Sequence, residues 1–275
     1  MAKDKISVVT VCFNCVGTIE KTIRSVIGQT YSNLEYIIID GGSTDGTLEI
    51  INKYKSHISV IVSEPDKGIY DAMNKGILVA TGEWIHFRNS GDFFLHKDSV
   101  EKFFEKGVKE EVSVVHGNCL YFDNTGWYEQ TPPILRVSYK QEIPVLHPAA
   151  FIRMAVQKGM MFDTSYRSSA DYDFFYKCYE QGIVFEYRPL AIAAFARGGF
   201  SSNWERAFWE DCRLKGMTKS MTGKIQMYTT FIWKKVFNRL TEIKRNTPLL
   251  KRLHFHGNSE SNAKTYHSLP VPSDF

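Results

Sequence analysis

From Ile6 to Phe13 the chain reads ISVVTVCF, a β-branched apolar run short enough for a strand buried on both faces. Asn14 to Gly17 then turn the chain, and Ile19, Ile23, Val26 and Ile27 recur at helical spacing. A second buried strand at Tyr36 to Ile39 ends on Asp40 and the turn GGSTDGT, where Thr44 or Asp45 caps a helix running to Lys55. The same reading gives a strand at Ile58 to Val62, a helix at Asp71 to Leu78 and a strand at Glu83 to Phe87 that stops at Asn89-Ser90-Gly91-Asp92. Strand and helix alternating in this way imply a mostly parallel, Rossmann-like α/β sheet with helices on both faces. Polar, glycine-rich sequence collects just after the strands, at the edge where open α/β sheets bind ligands.

Beyond residue 110 the pattern loosens. VSVVHG reads as a strand, Asn124-Thr125-Gly126 as a hairpin turn, 171–181 as a helix and 183–195 as a strand, with a proline-punctuated loop before residue 150. Lys224 to Leu253 is amphipathic, aromatic and basic. The expected organisation is therefore one α/β domain over 1–212, in two halves that divide at about residue 110. A basic helical appendage follows over 213–255, then a polar tail over 256–275 that is expected to be disordered.

Composition changes this picture little. The hydrophobic share of 43% and charged share of 23% are ordinary for a globular protein and exclude disordered or collagen-like classes. No apolar stretch approaches the roughly eighteen to twenty residues of a bilayer-spanning helix. Met1 to Lys5 lead straight into the first strand, so no secretory leader is expected. Five cysteines, an odd count without framework spacing, suit a reducing cytoplasm. Cys12 and Cys15 form a C-x-x-C without a second pair, and read as strand-end residues rather than a zinc site. Charge is more informative: Arg213 to Arg252 hold eleven Lys or Arg against one acid, Glu242, which leaves the rest net acidic and points to an anionic partner surface.

Acids stand where the strands end. Asp40 closes the second strand, Asp66 lies in SEPDKGIYDAMNKG, Asp92 ends NSGD, and Asp171 and Asp173 flank Tyr172 near a helix start. Burying an acid such as Asp40 costs desolvation, which favours a use for it. The segments VVTVCFN, QTYSNLEYIIIDGGSTDGT, SEPDKGIYDAMNKGILVATGEWIHFRNSGD and SADYDFFYK, in this order, resemble the family-2 glycosyltransferases of GT-A fold. The branch they look most like is the one that builds bacterial surface polysaccharides. The resemblance covers roughly residues 6–200 and implies a nucleotide-sugar half over about 1–110 and an acceptor half over about 111–212.

Transfer of a sugar from a nucleotide diphosphate needs a pocket for base and ribose, neutralisation of the leaving diphosphate, and a carboxylate base for the acceptor hydroxyl. The resemblance implies that Thr10, Asn14 and Asp40 line the nucleoside pocket, with Ser43 and Asp45 holding the turn. It implies that Asp66 approaches the nucleotide, that Asn74 and Lys75 face the donor, and that Gly199 and Ser201, with Gly198, close over the diphosphate. It places Asn89 in the donor site and Asp92 on a bridging Mg²⁺ or Mn²⁺, and makes Asp171 the base, with Asp173 as its competitor. A UDP-sugar is the implied donor, a glycan or lipid-linked molecule the acceptor, and inversion the outcome.

Plainer roles stand beside these. Asp45 and Thr47 read as turn and cap residues, and Tyr70, Trp84 and Phe87 as core. His147 reads equally as an acceptor-site group or a satisfied buried histidine, while Trp127 and Tyr128 are acceptor candidates. The basic helix either packs on the domain or sits in a membrane interface, with Phe231, Trp233, Phe237 and Leu240 toward lipid and Lys234, Lys235, Arg239 and Arg245 on anionic headgroups. That second role fits a cytoplasmic enzyme peripheral to the inner face of the cell membrane. No nucleic-acid motif accompanies the charges. A nucleotidyltransferase would want a basic residue in Asn14-Cys15-Val16-Gly17, and a dehydrogenase a G-x-G-x-x-G there. A catalytically inactive sugar-nucleotide-binding scaffold is the rival from another class, suggested by the thinned acids of Asn89-Ser90-Gly91.

Overall fold

The computed structural model describes residues 3–123, 126–132, 145–196, 204–246 and 265–266. Strands are β1 (Ile6–Cys12), β2 (Leu34–Asp40), β3 (Val60–Ser63), β4 (Trp84–Phe87), β5 (Phe93–Phe94), β6 (Val112–Asp123), β7 (Gly126–Gln130), β8 (Ala150–Arg153), β9 (Val184–Ala196) and β10 (Thr265–Tyr266). Helices are α1 (Ile19–Ile27), α2 (Thr47–Lys53), α3 (Ile69–Val79), α4 (Ser99–Phe104), α5 (Met154–Gly159), α6 (Ala170–Glu180), α7 (Trp204–Leu214) and α8 (Met221–Asn246). The chain divides into two compact units, one holding the sheet with α1 to α6 and the other holding α7 and α8.

The sheet runs β10-β7-β6-β8-β4-β1-β2-β3. Its first-formed half, β3-β2-β1-β4, is parallel as the alternation implies. Past β4 the sense changes: β8 lies antiparallel between β4 and β6, β7 antiparallel to β6, and β9 parallel to β6. The sheet is therefore mixed overall, with parallel order confined mainly to the half that carries the first four ligand loops.

Every residue of β1 is buried, which is why it reads as an unbroken apolar run rather than an alternating one. α1 turns Ile19, Ile23 and Val26 into the core, and α3 does the same with Met73 and Ile77. At Gly76 a Cβ would sit 2.5 Å from Val9, so only glycine lets α3 lie this close to β1. At the opposite edge from the ligand loops, the buried Glu35 carboxylate gathers Ser7, Thr81 and Lys5.

β5, β8, α4 and α5 are short and, like the longer α7, have no counterpart among the elements expected from the sequence. The tail expected to be disordered contributes β10, where Tyr266 pairs opposite Trp127 on β7. In the second unit, Phe231 packs with Phe208, Trp209 and Met227. Phe231 thus belongs to a helix–helix contact and not to a lipid-facing surface. The exposed apolar side chains of α8 are instead Met221, Ile225, Tyr228, Ile232, Trp233 and Val236. Phe237 stacks on Trp233, while the side chains of Leu240 and Arg245 lie outside the described residues. Among the described residues no helix is long and apolar enough to cross a membrane.

Candidate active site

The ligand edge is built from three interlocked loops. After β1, Asn14 takes left-handed backbone (φ 47°), which its short polar side chain tolerates. Its N–H donates to Ser43 Oγ at 2.8 Å, and its Oδ1 accepts the Thr44 N–H at 2.9 Å, joining the first loop to the second. Asp45 accepts from the Val16 N–H and the Thr47 hydroxyl, and these bonds hold its carboxyl below the ordinary range. Asp40 is fully buried and accepts from Ser43, from the Ser63 hydroxyl at 2.7 Å and from the Cys12 thiol. Asp66, bonded by the Gly68 N–H at 2.8 Å, lies so close over Gly41 that any Cβ there would meet its carboxylate. Asp40 and Asp66 therefore face the same two-glycine turn.

The fourth loop hangs on α1. Thr22 Oγ1 accepts the Gly91 N–H at 3.0 Å and donates to the Asp92 carbonyl at 2.8 Å, while Ser90 bonds Thr18. Asp92 has no hydrogen bond to its carboxylate among the described residues, and burial pushes it up to about 7 against the pull of the nearby Arg88. Asn89 Oδ1 is buried and unpartnered. Two oxygens in want of a partner, beside a loop that meets the sheet's ligand edge, suit a hard divalent cation. Among the described residues no cluster of three or more His, Cys, Asp or Glu stands ready for a metal. A cation here would take its remaining ligands from phosphate and water.

Across the edge, Asp171 occupies the first turn of α6. Its Oδ1 accepts from the Tyr70 hydroxyl at 2.9 Å, and its Oδ2 is 3.8 Å from His147 Nδ1. Burial pushes the Tyr70 hydroxyl far up, and the charge of Asp171 adds to it. Burial lowers His147, partly offset by Asp171, and its ring lies among Phe87, Phe162 and Phe175. Asp173, one turn face away, is tied to Lys177 at 2.6 Å.

Some expected positions lie elsewhere. Thr10 is fully buried, its hydroxyl on Tyr36, so it supports the floor and does not line an opening. The Asn74 amide is spent on the Phe162 backbone, donating at 2.9 Å and accepting at 3.0 Å, and so ties α3 to the chain before α6 rather than facing a donor. Lys75 bonds Glu64 and the Pro65 carbonyl, both at 2.9 Å, bracing the Asp66 loop. Trp127 packs on Phe93 and Phe122, the two rings that Lys21 covers. Gly199 and Ser201 lie outside the described residues.

Residues 7–166, more than half the chain, match the model of Glycosyl transferase family 2. The chain is a family-2 glycosyltransferase. It is 28% identical over 209 residues to a PGL/p-HBAD biosynthesis glycosyltransferase of Mycobacterium bovis, covering 74% of this chain and 81% of that one. An uncharacterized glycosyltransferase of Mycobacterium tuberculosis is 39% identical over 101 residues, 36% of this chain and 38% of its own. Among solved structures, S. aureus TarS 1-349 in complex with UDP-GlcNAc superposes with a TM-score of 0.62 at 22% identity. A mannosyltransferase from Pyrobaculum calidifontis, in complex with GDP-Man and Mn²⁺, gives 0.62 at 18%. These establish the GT-A fold. They cover 77% and 79% of this chain, which spans only about two thirds of their length, 65% and 64%.

Two features of the transferase's site are scarcely marked in its sequence. Tyr70 reads as core because it begins an apolar helical face, yet its hydroxyl reaches the carboxylate of Asp171. Arg88 follows WIHF and is fully buried, with Nη2 on His86 Nε2 at 2.7 Å. No periodicity places an arginine inside a sheet. Only the odd charge at the end of an otherwise apolar strand marks it.

Proposed function

We propose that this glycosyltransferase moves a sugar from a nucleoside diphosphate sugar, with uridine the leading base, to a hydroxyl of a glycan or lipid-linked acceptor, with inversion. The observation that carries the reading is the Asp171 carboxylate, oriented by Tyr70 on one oxygen and with His147 beside the other. A fixed, half-exposed carboxylate across the edge from Asp92 suits a general base that takes the acceptor's proton during a single in-line displacement. Asp66, over the Gly41-Gly42 turn, would recognise the nucleoside on a turn that the buried Asp40 holds through Ser43, and Asn89 and Asp92 would hold Mg²⁺ or Mn²⁺. When bound, that ion neutralises the leaving diphosphate. The relatives fit this scheme: TarS is described with UDP-GlcNAc, the mannosyltransferase with GDP-Man and Mn²⁺.

The basic second unit supports a place of action on the cytoplasmic face of the cell membrane, in assembly of a bacterial polysaccharide or lipopolysaccharide. Thermal stabilisation by a panel of nucleotides and sugar nucleotides tests the donor assignment. The expected result is a shift for one nucleoside diphosphate that Mn²⁺ enlarges, with the metal increment lost in Asp92→Ala. No shift with any nucleotide would overturn the reading in favour of an inactive scaffold. The anomeric configuration of the product, read by NMR, tests inversion.

A further inference from the structure

Arg88 is a buried cation without a bonded anion. It is 0% exposed, and of its donor atoms Nε and Nη1 have no hydrogen-bond partner. The third, Nη2, meets His86 Nε2, a neutral acceptor, because His86 Nδ1 donates to the Ala150 carbonyl at 2.8 Å and burial keeps the ring uncharged. One face of the guanidinium lies 4.0 Å from the centroid of Phe94. Asp92 attracts it, but no hydrogen bond or ion pair joins the two among the described residues. A guanidinium held this way keeps a desolvation cost that its surroundings return only in part.

The position of this charge gives it a use. Arg88 is the residue immediately before the Asn89–Asp92 loop, its own N–H is anchored to the Val9 carbonyl at 2.8 Å, and its guanidinium is held by His86 and Phe94 near enough to Asp92 for the two charges to attract. That loop carries a single acid, and its floor is therefore close to neutral instead of strongly anionic. In a low-dielectric setting a fixed cation acts across several ångströms.

We propose that Arg88 is a positioning cation whose field, from beneath the Asn89–Asp92 loop, offsets the donor's diphosphate charge, so that diphosphate binding persists without a divalent metal. The proposal rests on the donor site described above. It makes Arg88 an electrostatic support and not a contact, since its side chain does not reach the surface.

Calorimetry on the whole protein in EDTA, comparing UDP with uridine, tests it, with GDP against guanosine and dTDP against thymidine run in parallel. The expected result is that one diphosphate binds at least about tenfold tighter than its nucleoside without metal. Arg88→Met, checked for a cooperative melt, should erase that ratio while leaving nucleoside binding in place, and should weaken Mn²⁺-supported diphosphate binding less than metal-free binding. Arg88→Lys should restore part of the ratio. A wild-type ratio near one in EDTA, or an unchanged ratio in a folded Arg88→Met, overturns the proposal. The wild-type comparison decides alone if the methionine variant does not fold. Absence of diphosphate binding even with Mn²⁺ would instead refute the donor site itself, and this proposal with it.

Discussion

The hydroxyl of Tyr70 donates to Asp171 Oδ1 at 2.9 Å, tying the start of α3, which follows the Asp66 loop, to the first turn of α6. With the two Asn74–Phe162 bonds, this bond links the donor loops to the candidate base. Asp171→Asn keeps the shape and removes the basicity, and should lower kcat by about 10²- to 10⁴-fold with donor KM little changed. Tyr70→Phe should cost about tenfold in kcat through a carboxylate that turns more freely. Steady-state kinetics check both, and an Asp171→Asn enzyme within threefold of wild type would remove Asp171 from the base role.

Asp173 makes a sharp contrast. Its carboxylate closes on Lys177 one helical turn later, and the carboxylate is itself nearly buried. Asp173→Asn should therefore lower stability by about 1 kcal/mol or less while kcat stays within a few-fold of wild type. A collapse of kcat with unchanged melting temperature would transfer the base role from Asp171 to Asp173.

Gly41 tests the nucleoside pocket. A methyl at this position meets the Asp66 carboxylate and the ring of Phe13. Asp66 ends a flexible side chain and can swing aside, so Gly41→Ala should disturb ligand binding more than folding. The expected result is about a tenfold loss in nucleotide affinity by titration calorimetry with a melting temperature within a few degrees of wild type. Equal affinity would mean that Asp66 does not approach the nucleotide.

Most of the parallel half was legible because its strands are buried on both faces and its helices carry one apolar stripe. The second half was not, since β8 and β5 are four and two residues long and their pairing partners lie far along the chain. The acids at strand ends could be found by position alone. What each acid does depends on who answers it: Asp40 by two serines and a thiol, Asp173 by a lysine, Asp171 by a tyrosine. Lys177 and Ser43 lie within four residues of the acids they answer, but Tyr70 is 101 positions from Asp171, beyond the reach of any local pattern. Phe231 shows the same limit, because a helix periodicity gives an apolar face without saying which neighbour covers it.

Glu35 governs the acid limb of stability. Burial alone would raise its carboxyl, but hydrogen bonds from Ser7, Thr81 and Lys5 prevail and bring it down to about 2. A depressed carboxyl stabilises the fold in full above its unfolded value near 4.5, and the contribution drains away as pH falls toward 2. Its magnitude is on the order of 2 to 3 kcal/mol. Urea midpoints between pH 6 and pH 2.5 should fall steeply for wild type and less steeply for Glu35→Gln, which starts lower at pH 6. Parallel slopes would show that Glu35 titrates alike in both states.

The second unit yields a prediction about where the enzyme works. Met221, Ile225, Tyr228, Ile232 and Val236 are 53–75% exposed and recur every three or four residues, so they form one stripe along α8. Met227 and Phe231 point to the other side, into Phe208 and Cys212. Lys224, Lys235 and Arg239 are exposed beside the stripe, Lys235 3.5 Å from Glu205 of α7, and no acid occurs in the sequence between Met221 and Thr241. An apolar stripe rimmed by cations matches the headgroup region of an anionic bilayer, where each basic residue contributes about 1 kcal/mol. Flotation with phosphatidylcholine vesicles, with and without phosphatidylglycerol, should show binding that needs the anionic lipid and weakens with salt. Ile225→Glu with Ile232→Glu should reduce it at least about tenfold, as should charge reversal at Lys224, Lys235 and Arg239, without loss of helicity by circular dichroism. Deleting the chain after about residue 220 should abolish it. Vesicle binding unchanged by all three would refute the membrane role and leave the stripe unexplained.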